Sequence, residues 1–96
     1  MTPTERQWLQ IARRDIRLAL VKAEIGDWDA VVSCVHPYSR AVPSGAVPIE
    51  VSNLLASLGT SNPSDLRGSA AMRAAAIRRL EETKVLIGES LVANDH

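Results

Sequence analysis

Few residue types in this chain can do chemistry, and their spacing decides what they can do. A thiol and an imidazole lie two residues apart, at Cys34 and His36. As nucleophile and base they would have to converge, yet side chains two apart on a helix point away from each other. They read instead as a small buried thiol and a partly exposed imidazole beside Pro37. One cysteine and two histidines, at 34, 36 and 96, do not form the four-ligand set of paired spacings that a structural zinc site needs. The five glycines are dispersed, so none builds a phosphate-cradling loop. No catalytic residue, metal site, cofactor or small-molecule substrate is expected, and the chain reads as a non-enzyme.

The charged and aromatic residues point to contact rather than catalysis. Asp15 sits in the apolar sector of the first predicted helix, near Ile11 and Leu18. A half-buried carboxylate needs a partner, and an arginine of the last helix is the expected one. Trp8 and Trp28 read as core anchors. Arg13, Arg14 and Arg17, then Arg73, Arg78 and Arg79, raise nucleic acid as a partner. Asp15, Glu81 and Glu82 sit among them, however, and 11 basic residues balance 11 acidic ones. A duplex binder normally shows a basic face, so solvated helix surfaces account for most of these arginines.

The elements that must carry these residues read as helices. Thr2 and Glu5 have capping-box spacing, with Pro3 at the first helical position. Leu9, Ala12, Ile16, Ala19, Leu20 and Ala23 then recur every three or four residues. Trp8, Ile11 and Leu18 are expected to widen that stripe, while Arg6, Gln10, Arg13, Arg17 and Glu24 take the opposite face. The first helix is predicted over about 3–25, ended by Gly26 in a left-handed conformation. Asp27 caps a second helix from Trp28 through Ala30, Val31, Cys34 and Val35. That helix either stops near Val35 or continues kinked past Pro37 to about Ala41, and the first is preferred because residues before proline avoid the helical region.

Residues 37–48 hold three of the five prolines and read as an exposed loop. Pro48 opens a third helix with Ile49, Val51, Leu54, Leu55 and Leu58, stopped by Gly59. Asn62-Pro63 can start a single turn within the turn-rich stretch 60–69. Ser69 caps the last helix, whose stripe is Met72, Ala76, Leu80, Thr83, Ile87 and Leu91, and the tail Asn94-Asp95-His96 is expected to fray.

The predicted fold class is therefore all-α: a small four-helix bundle, roughly up-and-down, with a proline-rich loop between helices 2 and 3. Ninety-six residues make one helical domain, 1–96. Thirteen alanines and ten leucines against three aromatics favour helix over strand and imply a core of modest buried area. With 46% apolar and 23% charged residues, the composition excludes a disordered tail and a collagen-like repeat. No apolar run is long enough to span a membrane. The N-terminus lacks a secretion-signal pattern, and a single cysteine fits a reducing cytoplasm, the expected location.

Trp8-x3-Ala12-x2-Asp15-Ile16-x2-Ala19-x6-Gly26-x-Trp28, followed by Asp29-Ala30-Val31, resembles the opening of the HEPN domains. That resemblance covers roughly a third of the chain, within residues 8–35. It implies a bundle of about four helices, often dimeric, in a family that includes many toxin ribonucleases paired with nucleotidyltransferase-type antitoxins. The family's catalytic signature, an arginine followed four to six residues later by histidine, is missing here. Pro37 and the Pro43–Pro48 segment also interrupt where its second helix should continue. The resemblance thus implies a shortened, catalytically silent relative suited to dimerisation or complex formation.

A second stretch, Val51 to Arg67, is similar to a helix-turn-helix, a helix ending in Leu58-Gly59 before a polar start. Ser61, Asn62, Ser64 and Arg67 are suitable types for phosphate and base contacts. Gly68 leaves little length for a recognition helix, and Leu66 sits about one residue off the usual spacing. The leading expectation is a non-enzymatic interaction or regulatory protein that forms a homodimer or binds a partner protein. This profile fits small phage- or plasmid-borne modulators as well as chromosomal accessory subunits. Tyr38, Arg40 and His36 are its expected contact residues, since Tyr and Arg are common at binding hot spots. The alternative is a DNA-binding regulator using residues 51–67.

Overall fold

The computed structural model describes residues 3–39 and 49–93, and every element among them is helical. In chain order these are α1 (Pro3–Glu24), α2 (Trp28–Val35), a 3-10 turn (His36–Ser39), α3 (Ile49–Gly59), α4 (Pro63–Gly68) and α5 (Ala70–Ala93). Thr2 of the capping box, Arg40 with the rest of the proline-bounded segment to Pro48, and the tail from Asn94 lie outside the described residues.

Gly26 ends α1 at φ +79°, the one positive φ among the described residues. Its N–H donates to the Ala23 carbonyl at 3.1 Å, and the Asp27 N–H donates to the Lys22 carbonyl at 2.9 Å. This pair of bonds is the Schellman arrangement, which only a left-handed residue completes without strain. Asp27 then caps α2 by accepting the Ala30 N–H at 3.2 Å. The chain folds back into an antiparallel helical hairpin, which is why Tyr38, just past α2, reaches Trp8 and Asp15 of α1.

Pro37 decides the end of α2. It lacks the N–H that another α turn would use, and its ring clashes with the turn before. The helix stops at Val35, and the chain tightens into the 3-10 turn.

Four helices were expected and five are found. The added one is α4, six residues between two caps. The Asn62 side chain accepts the Ser64 N–H at 2.9 Å, and Pro63 supplies a helix-ready φ at the first position. At the other end the Leu66 carbonyl accepts the Ser69 N–H at 3.4 Å, and Arg73 donates to the carbonyls of Leu66 (3.0 Å) and Arg67 (2.6 Å). Ser69 is extended, and its hydroxyl accepts the Met72 N–H at 3.2 Å to start α5 afresh.

The core is a single cluster in which Leu9, Ile16, Leu55, Leu80 and Ile87 are the largest fully buried side chains. Ala12, Ala19 and Ala23 of α1 lie in the same face and hold its neighbours, α2 and α5, close. The expected α5 stripe is buried from Ala76 to Leu91, but Met72, in the first turn ahead of it, is exposed. Thr83 is the one buried polar residue among those described, and its hydroxyl donates to the Arg79 carbonyl at 2.7 Å. The molecule measures 44 × 21 × 18 Å. Its long axis is set by α5, whose 24 residues rise about 36 Å.

Candidate functional site

Of the titratable residues singled out in the sequence, Asp15, Cys34 and Tyr38 lie together. Tyr38 was expected on an exposed loop as a contact residue; its ring is buried. The phenol donates a short hydrogen bond to Asp15 Oδ2, and the ring meets Trp8 edge-on, centroids 5.5 Å apart and planes at 87°. Asp15 therefore finds its partner in Tyr38, with Arg14 Nε 3.5 Å from its other oxygen, and not in an arginine of the last helix. Burial first, then the hydrogen bond and negative charge of Asp15, push the Tyr38 phenol well above its ordinary range. Trp28 is buried as expected, and Trp8 is partly buried against the core.

Cys34 lies beside this cluster. Burial, reinforced by the charge of Asp15, raises its thiol pKa. Such an environment keeps sulfur protonated, the opposite of what a nucleophile requires. His36 is exposed, and its Nδ1 lies 2.9 Å from the Gly59 carbonyl. A carbonyl can only accept, so this nitrogen carries the proton. The bond fastens the 3-10 turn to the end of α3. Among the described residues no group of three His, Cys, Asp or Glu side chains could hold a metal, and no helix is long and apolar enough to cross a membrane.

The polar set of residues 61–67 is occupied locally. The Ser61 hydroxyl donates to the Ser57 carbonyl at 2.9 Å, and Asn62 caps α4. Arg67 pairs with Asp29 of α2 at 2.7 Å and also donates to Ser64 Oγ at 3.3 Å. These four residues lie around α4: Ser61 bonds back to α3, Asn62 caps the helix, and Arg67, steadied by Ser64, ties it to α2.

What the sequence reading missed lies on α1. Ile11 and Leu18 do not widen the core stripe. They are 38% and 46% exposed and continue into Val21 at 54% and Ile25 at 67%. At about 100° per residue, this row lies some 150° around the helix from the Ala12–Ile16–Ala19–Ala23 face. The signal was present: Ile11, Leu18 and Ile25 are spaced by seven, as a positions of a heptad, with Val21 at one d position between them and Arg14 at the other.

The arginines divide. Arg73 caps α4, and Arg79 donates to Ser57 Oγ at 3.0 Å. Arg13, Arg14 and Arg17 line a groove with Arg6, Gln10 and, from α5, Leu91 and Val92. Comparison with protein-family models, curated proteins and solved structures finds no match for this chain.

Proposed function

We propose that this chain is a non-enzymatic interaction protein that works as a homodimer, paired through the outer face of α1. The observation that carries this reading is the second apolar stripe, Ile11, Leu18 and Val21 of α1 with Ile25 just past its end, opposite the core face of that helix. Those residues expose on the order of 400 Å², the size of the largest apolar patch on a typical monomer, which is often a functional one. Heptad spacing suits a helix of matching pattern, and a second copy supplies one.

Charge selects the orientation. In an antiparallel pair centred on Leu18, Ile11 meets the partner's Ile25, and the partner's Lys22 lies between Asp15, which attracts it, and Arg14, which repels it. A parallel pair sets Arg14 against the partner's Arg14 and Arg17 near the partner's Lys22, both repulsive. The antiparallel arrangement is isologous and closes on itself. Within this reading α1, α2, α3 and α5 form the roughly up-and-down four-helix bundle, α4 is an insertion, and the protein acts in the cytoplasm. The HEPN-like resemblance belongs to the same proposal, as a shortened domain suited to pairing without the cleavage motif. The DNA-binding alternative has weaker support, because Arg67 would have to leave Asp29 to reach a phosphate.

Size-exclusion chromatography with light scattering tests the proposal. The wild-type chain elutes as a dimer at micromolar concentration. Leu18→Glu gives a monomer of unchanged helicity, and Val85→Glu, at an exposed apolar position of α5, leaves the dimer intact. A wild-type chain that is monomeric at millimolar concentration overturns it.

A further inference from the structure

We propose that the groove between α1 and the last turns of α5 binds a small organic ligand carrying two or more phosphates. Arg13, Arg14 and Arg17 line it with Gln10, and Leu91 and Val92 close its other side. Its volume is about 370 Å³, within the range of small-ligand clefts.

Four features of the groove converge on that ligand. First, none of its described lining residues is acidic, although the chain has as many acidic as basic residues. Among the described residues Arg13 and Arg17 pair with no carboxylate, and Arg14 reaches Asp15 through Nε at 3.5 Å. Guanidiniums at three positions within two turns of one helix repel each other, and an anion between them relieves that repulsion. A concave surface with a low-dielectric wall strengthens the attraction.

Second, the cations are arginines. Their planar forks give phosphate two parallel hydrogen bonds, where lysine offers a point charge. Third, the charge is dense for the volume. A phosphate group brings about two negative charges and a carboxylate one. Two phosphates on a compact ligand therefore balance this wall, whereas an acidic protein segment would have to crowd three or four side chains into the same space. Fourth, Leu91 and Val92 give the groove an apolar side that inorganic phosphate does not use but an organic moiety does. Arg14 borders both the groove and the outer stripe, so the two proposals are tested apart in the Leu18→Glu monomer, which keeps the groove.

The test is calorimetric titration of the purified full chain with a nucleoside triphosphate, inorganic tripolyphosphate, a single-stranded oligonucleotide and polyglutamate. The nucleoside triphosphate is expected to bind, more tightly than tripolyphosphate and more weakly as salt rises. In Arg13→Gln/Arg17→Gln its affinity falls about tenfold or more, the loss expected for charge-assisted hydrogen bonds. Arg78→Gln, which removes an exposed arginine of α5 outside the groove, leaves the affinity unchanged. Circular dichroism of both variants separates lost binding from lost fold. Equal affinities for nucleoside triphosphate and tripolyphosphate overturn the role given to Leu91 and Val92. Tighter binding of the oligonucleotide or polyglutamate, an equal loss in Arg78→Gln, or no binding overturns the proposal.

Discussion

Replacing Tyr38 by Phe removes one oxygen from a buried ring and leaves the edge-to-face contact with Trp8 in place. What is lost is the hydroxyl donated to Asp15 Oδ2. A hydrogen bond to a charged group contributes about 1.5–3 kcal/mol. The Asp15 side chain keeps 25% of its surface in water, and Arg14 remains beside it, so part of that loss is recovered. The expected destabilisation is about 1–2 kcal/mol, read in urea unfolding as a lower midpoint with unchanged slope. Asp15→Asn combined with Tyr38→Phe closes a double-mutant cycle with a coupling of about 1 kcal/mol.

The pH dependence has a definite sign. The folded phenol pKa is raised above its ordinary value of 10.0. The contribution of this group is therefore complete below the unfolded pKa and is lost as pH rises from there toward the folded one. Above pH 10 the wild-type protein loses up to about 1.4 kcal/mol per pH unit from this residue, and Tyr38→Phe lacks that component. The chain has one tyrosine, so near-ultraviolet tyrosinate absorbance reports this group alone. In the native protein it stays protonated until the fold is lost. Reversible ionisation near pH 10 in a folded protein, or a Phe variant as stable as wild type, refutes the bond and its effect.

Three further substitutions probe the frame around the site. Gly26→Ala meets no neighbouring atom but must adopt φ +79°, so thermal melting should show a loss of about 1 kcal/mol, while Gly68→Ala, also in open space and without positive φ, stays within about 0.5 kcal/mol of wild type. Thr83→Val removes a buried hydroxyl whose acceptor, the Arg79 carbonyl, belongs to the helix ladder; stability should stay within about 0.5 kcal/mol, and a larger loss in denaturant titration points to a second role for the hydroxyl. Arg67→Ala breaks an ion pair exposed on both sides, so unfolding should change by less than about 1 kcal/mol, and a filter-binding assay should show no change in salt-sensitive DNA retention.

The elements were legible where local chemistry sets them. Gly26 and Asp27 mark one helix boundary, Pro37 another and Ser69 a third, because a left-handed φ, a missing N–H or a capping hydroxyl acts within a turn of its own position. The partner of Asp15 was not legible, since it depends on where the α1–α2 hairpin sets Tyr38, 23 residues away. Arg73 as the cap of α4 was hidden for the same reason: its guanidinium reaches back from α5 across the Ser69 break.

Helix α1 shows the limit more sharply, because it is apolar on two nearly opposite sides. Periodicity counts both stripes as one broad sector, which is how Ile11 and Leu18 came to be assigned to the core. What separates the stripes is the presence of small residues. Ala12, Ala19 and Ala23, set around Leu9 and Ile16, let other helices approach closely, whereas Ile11, Leu18, Val21 and Ile25 include no small side chain. The small-residue face is the one a short hairpin can close on, since three residues join α1 to α2 and the left-handed turn at Gly26 fixes the direction of return. The bulky face is then left outside by geometry rather than by polarity. Apolar residues at this spacing on a face that the described residues leave exposed, with Arg14 as the one charge among them, are the pattern expected when another helix completes it.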